Sequence, residues 1–125
     1  MTSGKADRVP DYLDHLILAI DRAMAYVSGM SVEAFRADTR TQDAVIRSIE
    51  IIGEAAHRVR RMDPAFAATH ADIPWEQMYG MRNRIVHDYF EIDLDVVWQT
   101  VITDLPALRA KIFPLRASIA PNPRG

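Results

Sequence analysis

The sequence predicts an all-α domain, a bundle of four to five helices packed up and down in antiparallel fashion. Three observations predict it. Apolar residues recur at three- and four-residue steps in four separate stretches. Proline, glycine and capping residues punctuate the gaps between those stretches. No segment makes a convincing strand. Residues 84–90 come nearest, because Ile85, Val86, Tyr89 and Phe90 would suit β structure. A lone short strand has nothing to pair with, so this run is read as helical or looped.

The elements follow in order. Pro10 and Asp11 open the first helix, where proline loses no helical hydrogen bond. Leu13, Leu16, Ile17, Ile20, Met24 and Val27 form its apolar face, and Gly29 stops it. Ser31 caps a short helix through Phe35. Thr39 or Thr41 starts the longest helix, which ends near Met62. Its apolar set includes Val45, Ile49, Ile52, Ala56 and Val59, and a second stripe runs Asp43, Arg47, Glu50, Glu54, His57 and Arg61. Asp63-Pro64 breaks the pattern, and a loop with about one helical turn leads to Ile73. Pro74 opens a third long helix that ends at Val86 or His87. Asp93 caps a fourth, with Leu94, Val97, Trp98, Val101, Leu105 and Leu108 on one face. Pro106 falls inside that pattern and predicts a kink or a restart. Pro114, Pro121 and Pro123 mark a frayed tail.

The 125 residues fit one domain, residues 1–125, with loose ends at 1–8 and 115–125. The absence of cysteine excludes disulfides and thiolate metal sites and fits a reducing cytoplasm. No secretory signal and no membrane-length apolar run are seen. The net charge of −2 excludes a protein that coats nucleic acid non-specifically, so any RNA contact must come from a local patch.

The third long helix carries the chemistry. Trp75, Tyr79, Arg82, Val86 and Tyr89 lie on one stripe, which sets Arg82 among apolar and aromatic neighbours. A guanidinium is costly to bury unpaired. Arg82 therefore faces a groove or an interface, or a carboxylate such as Glu50 or Glu54 receives it. Asn83 and His87 are four apart and can share a target. Arg82 and His87 are five apart, about 140° around an ideal helix, so they converge only if the helix ends at His87 or two subunits meet. The plainer reading also holds here: Arg and His near a helix C-terminus suit the dipole, and Arg84 with Asp88 makes a four-apart ion pair.

The string Met81-Arg82-Asn83-Arg84-Ile85-Val86-His87-Asp88-Tyr89 resembles the HEPN signature Arg-x4-His, in the Arg-x4-His-x-Tyr form of the HepT-like family. Ile73-Pro74-Trp75 with Met78, the run Ile49-Glu50-Ile51-Ile52-Gly53-Glu54-Ala55, and Asp93-Leu94-Asp95-Val96-Val97-Trp98 resemble further segments of that family, in order. The resemblance spans residues 10–108. It implies a HEPN-type bundle and a cytoplasmic bacterial toxin of a type VII toxin–antitoxin pair. It further implies a homodimer that brings two Arg-x4-His motifs into one cleft, and metal-independent RNA cleavage without a cofactor. The implied partner is an MntA-like nucleotidyltransferase that silences the toxin by transferring AMP to Tyr89.

On that reading His87 is the general acid/base, because imidazole titrates near neutrality without tuning. Arg82 binds the phosphate as charge develops on it. Asn83 orients phosphate or histidine, and Arg84 holds the RNA backbone. An AMP on Tyr89 would block RNA by bulk and like charge. Glu50 and Glu54 are read first as ion-pair partners of Arg47 and Arg58, and within the resemblance as lining of the Arg82 cleft. His15, His57 and His70 share no ligand spacing, so no metal site is assigned. Arg58, Arg60 and Arg61 read as a solvated helix end that could also carry phosphate contacts. Trp75 and Trp98 read as core, and Gly53 as a point of close helix packing. The rival to the ribonuclease is a non-catalytic binding partner and modification acceptor of the transferase.

Overall fold

A computed structural model describes residues 8–119, and all of its regular structure is helical. Helix α1 spans Val9–Tyr26, α2 Val32–Arg36, α3 Thr39–Met62, α4 Pro64–Thr69 and α5 Trp75–His87. A short 3-10 turn, Tyr89–Glu91, leads to α6, Leu94–Gln99, which continues through a π turn, Thr100–Asp104, into α7, Leu105–Ala117. The four long rods are thus α1, α3, α5 and the composite α6–α7. None of the described helices is long and apolar enough to cross a membrane.

Local signals place the ends. Ser31 Oγ accepts from Ala34 N–H at 3.1 Å and starts α2. Gly29 turns the chain with φ +78°, a conformation other residues rarely adopt. Helix α3 starts at Thr39, one of the two threonines the sequence offers, and Asp38 caps it; the carboxylate accepts from the Thr41 N–H at 3.0 Å and the Thr41 hydroxyl at 2.8 Å. Those bonds favour the ionised form and hold the Asp38 pKa below its ordinary value. Asp63 caps α4 through Phe66 N–H, and Asp93 caps α6 through Asp95 N–H.

Pro106 acts as the sequence suggests, by a specific device. Leu105 N–H donates to Thr100 O, five residues back, and the widened turn lets the helix pass a residue with no N–H. Pro114 lies within a helix and not in a frayed tail, because α7 runs through it to Ala117; Pro121 and Pro123 lie outside the described residues. Around Pro114 the helix is held by packing: Ile112 is fully buried and Arg116 Nε donates to Asp14 Oδ1 at 2.7 Å.

Helix α3 is the centre of the bundle, with α1 on one side, α5 on the other, and α7 against α1. The α1–α7 pairing is antiparallel, since Asp14 meets Arg116 and Asp21 meets Arg109. Leu13, Leu16 and Ile20 of α1 share one buried core with Val45, Ile49 and Val59 of α3 and with Val97, Val101 and Ile112 of α6–α7. Burying each such side chain contributes about 1.5–3 kcal/mol, so truncating Leu16 to Ala would cost about 2–5 kcal/mol. Phe35 seals one end of the core, its ring 5.4 Å from that of Trp98.

Candidate active site

Helix α5 is fixed at its start by Trp75. Its indole N–H reaches Ala67 O at 3.2 Å and His70 O at 3.1 Å, tying α5 to the end of α4. Along its length α5 runs antiparallel to α3 in a steady register. Glu76 meets Arg60 at 3.0 Å, Tyr79 stacks on His57 with ring centroids 3.9 Å apart, and Arg82 meets Glu54 at 3.8 Å. The two backbones close at Gly53. A Cβ placed there would stand 2.3 Å from Arg82 Cβ and 2.7 Å from Met78 O. Gly53 is therefore a close-packing residue, as its setting in the sequence suggests.

The buried face of α5 is Trp75, Met78 and Ile85. The stripe of Trp75, Tyr79, Arg82 and Val86 is thus not the buried face: Val86 is 43% exposed, and Tyr79 and Arg82 lie on the flank. The reason is that α5 carries apolar residues on two neighbouring stripes, and the Gly53 contact selects one of them. Arg82 accordingly lays its stem over Gly53 and brings its guanidinium to the rim of the α3–α5 groove. Its Nη1 donates to Asn83 Oδ1 at 2.9 Å, and its guanidinium carbon is 5.9 Å from the Tyr79 ring centre. The Glu54 oxygen is outside hydrogen-bond range, so this carboxylate holds the cation by charge alone.

Of the two candidate receivers, Glu54 is the one Arg82 meets; Glu54 also accepts from Arg58 Nε at 3.0 Å. Glu50 lines the adjoining depression together with Arg47, Arg58 and Arg82. The remaining motif residues stand apart. His87 ends α5, exposed, and no hydrogen bond, ion pair or ring contact engages it among the described residues. Asn83 turns its amide oxygen to Arg82. Arg84 is exposed; instead of the expected ion pair, Asp88 meets it through backbone, Asp88 N–H donating to Arg84 O at 2.8 Å. Tyr89 begins the 3-10 turn, and its side chain lies outside the described part of the molecule.

Because α5 stays helical through His87, the angular separation of about 140° between Arg82 and His87 persists. One chain thus offers a held guanidinium in a groove and an unengaged imidazole at the helix end, on different faces. Both chemistries suit a phosphodiester: bidentate binding of phosphate oxygens, and proton transfer near neutrality.

The His57–Tyr79 stack is not evident from either helix alone. Each residue sits on a stripe that the sequence does show, and laying the two stripes antiparallel would have found the pair. The His57 pKa lies below its ordinary value, chiefly through burial, with Arg60, Arg61 and Arg58 adding to the fall and Glu54 opposing it. Its Nδ1 is buried without a hydrogen-bond partner among the described residues.

Known proteins resemble this sequence over most of its length. The family model described as ribonuclease HepT-like matches residues 16–113. The "Probable ribonuclease HepT" of Thermococcus cleftensis is 40% identical over 106 residues, 85% of this chain and 94% of that protein. The "Putative RNase TTE0752" of Caldanaerobacter subterraneus subsp. tengcongensis is 33% identical over 101 residues, 81% of this chain and 88% of its own. No solved structure gives a significant match. The helical bundle, the Arg82-to-Tyr89 motif that runs from α5 into the turn after it, and these likenesses over most of the chain have one conclusion: the protein belongs to the HepT-like ribonuclease family.

Proposed function

We propose that this protein is an endoribonuclease that cleaves RNA without a metal ion, as the toxin half of a toxin–antitoxin pair in the bacterial cytoplasm. The observation that carries the proposal is the placement of Arg82. A guanidinium is fixed over Gly53 at the rim of a groove by Glu54 and Asn83, with most of its N–H groups uncommitted. Such a group costs less reorganisation when charge develops on a bound phosphate. In the reaction the RNA 2′-oxygen attacks the neighbouring phosphorus and loses its proton to a base. The bond to the 5′-oxygen breaks, that oxygen takes up a proton, and a 2′,3′-cyclic phosphate remains. His87 is the proton-transfer group, Arg82 the phosphate ligand, and Arg84 a contact to the strand.

A homodimer is part of the proposal, because Arg82 and His87 of one chain lie on different faces of α5 and a second copy can supply the missing partner. Tyr89, two residues beyond His87, is the acceptor of AMP from an MntA-like nucleotidyltransferase. The added phosphate would oppose RNA by charge and by bulk.

The test is cleavage of RNA by purified protein in EDTA, beside folded Arg82→Ala and His87→Ala variants checked by circular dichroism. Activity lost in both variants is the expected result. Absent cleavage, or cleavage equal in the variants, would leave the non-catalytic acceptor role. Mass spectrometry of the protein co-expressed with its transferase reads the second point, and a Tyr89 without an added AMP would sink it.

A further inference from the structure

The groove that holds Arg82 continues past it. On the side of α3 toward Met62 a depression of about 430 Å³ opens between α3 and α5, lined by Glu54, His57, Arg58, Arg61, Tyr79 and Arg82. Three guanidiniums and one carboxylate face this space. Glu54 pairs with both Arg58 and Arg82, so one anion answers two cations. Arg61, at the far rim, is exposed and has no hydrogen-bond or ion-pair partner among the described residues. This concentration of positive charge stands out in a chain of net charge −2. Beneath it lies the His57–Tyr79 stack, a flat floor whose histidine is held toward its neutral form by burial.

The register of α5 on α3 fixes where this depression lies. One step forward on α5 is one step back on α3, from the Glu76–Arg60 pair through Tyr79–His57 to Arg82–Glu54. Continuing that count sets His87 level with Ile49, beyond Arg82 on the opposite side from Arg61. Arg61 is seven residues from Glu54, about 10 Å along the helix axis. Arg82, level with Glu54, and Arg61 are therefore rooted about two helical turns apart along the groove, a spacing that suits two phosphates of one strand.

We infer that the Arg58–Arg61 depression over the His57–Tyr79 stack is a binding subsite for a backbone phosphate of the RNA strand, on the side of the scissile phosphate away from His87. The inference rests on the ribonuclease reading and adds to it the course of the strand along α3. The basic cluster at the end of α3 then has a use beyond solvation: Arg58 and Arg61 face the groove, whereas Arg60 faces Glu76 in a separate depression.

That division supplies the test. A fluorescent single-stranded oligoribonucleotide is titrated against His87→Ala protein over a range of salt concentrations, with and without Arg61→Gln or Arg60→Gln. Both substitutions change net charge equally, one residue apart. Arg61→Gln is expected to weaken binding alike for different sequences and to lower the magnitude of the salt slope by about 0.7, one single-strand phosphate contact. Arg60→Gln is expected to leave the slope unchanged. Equal effects of the two, or none from Arg61→Gln, would overturn the subsite. So would competition by inorganic phosphate as effective as RNA at equal phosphate concentration, which would mark a simple anion site. Failure of the subsite alone leaves RNA cleavage by the unaltered protein, still lost on His87→Ala. If the unaltered protein neither binds nor cleaves RNA, the ribonuclease reading falls and the subsite with it.

Discussion

Replacing Gly53 by alanine tests how the site is built. The new Cβ would lie 2.3 Å from Arg82 Cβ and 2.7 Å from Met78 O. Favourable contacts between carbons begin near 3.5 Å, so the helices must part by about 1 Å. Neither obstacle can rotate away, because one is a Cβ and the other a backbone carbonyl. Overpacking of this kind costs about 1–3 kcal/mol, while alanine gains about 1 kcal/mol over glycine within a helix. The upper part of the packing range applies to immovable neighbours, leaving a net loss of about 1–2 kcal/mol. Urea denaturation should show it as a midpoint lowered by about 0.5–1 M. Gly80→Ala is the internal control. Nothing lies within 4 Å of its added Cβ, so the same substitution on α5 should stabilise by up to about 1 kcal/mol. A displacement of Arg82 by about 1 Å should also reduce RNA cleavage by about a hundredfold. Equal stability shifts for the two alanine variants, or a Gly53→Ala protein as stable as the parent, would refute the argument that this glycine sets the distance between α3 and α5.

Arg82→Lys keeps the charge but loses the planar fork, so cleavage should fall by about 10²-fold or more, measured by single-turnover kinetics; near-parental rates would show that charge alone suffices. His87→Ala should cost about 10²–10⁴-fold in rate, while stability stays within about 0.5 kcal/mol because nothing described engages the ring; a large fall in melting temperature would contradict its exposed placement. His57 titrates at lower pH when folded than when unfolded. The unfolded chain therefore binds more protons below about pH 6.5, and stability should fall as pH drops through that value toward the depressed folded pKa. His57→Gln should flatten this slope in denaturation midpoints compared at pH 7.5 and 5.5, and an unchanged slope would show that another group carries it. Trp75→Phe leaves two carbonyls without the indole donor and should cost about 1–3 kcal/mol by urea denaturation, whereas a neutral effect would mean water replaces it.

The helices themselves were legible because their causes are local. Leu13, Leu16 and Ile20, or Val45, Ile49 and Ile52, share a face through backbone geometry that spans only a few residues. Ser31, Asp63 and Asp93 act within three residues of their own positions. The motif on α5 was legible for a different reason, its resemblance to a family, and the likeness over residues 16–113 bears that membership out. Pro106 announced an interruption, but whether it would be a kink, a restart or a π turn depended on how Val101 and Leu105 both had to stay in the core.

What the chain by itself determined, then, is the set of rods, their apolar stripes and the order of chemically active residues along them. The tertiary structure decided how the rods are rotated and slid against each other. It chose Met78 and Ile85 over Tyr79 and Val86 as the buried face of α5 and Glu54 over Glu50 as the partner of Arg82. It also brought His57 onto Tyr79. A helix's own hydrogen bonds are indifferent to these choices, because they satisfy the same backbone groups in every register. The choice was made by contact across the interface, where only Gly53 lets α5 approach closely enough for Arg82 to lie over α3.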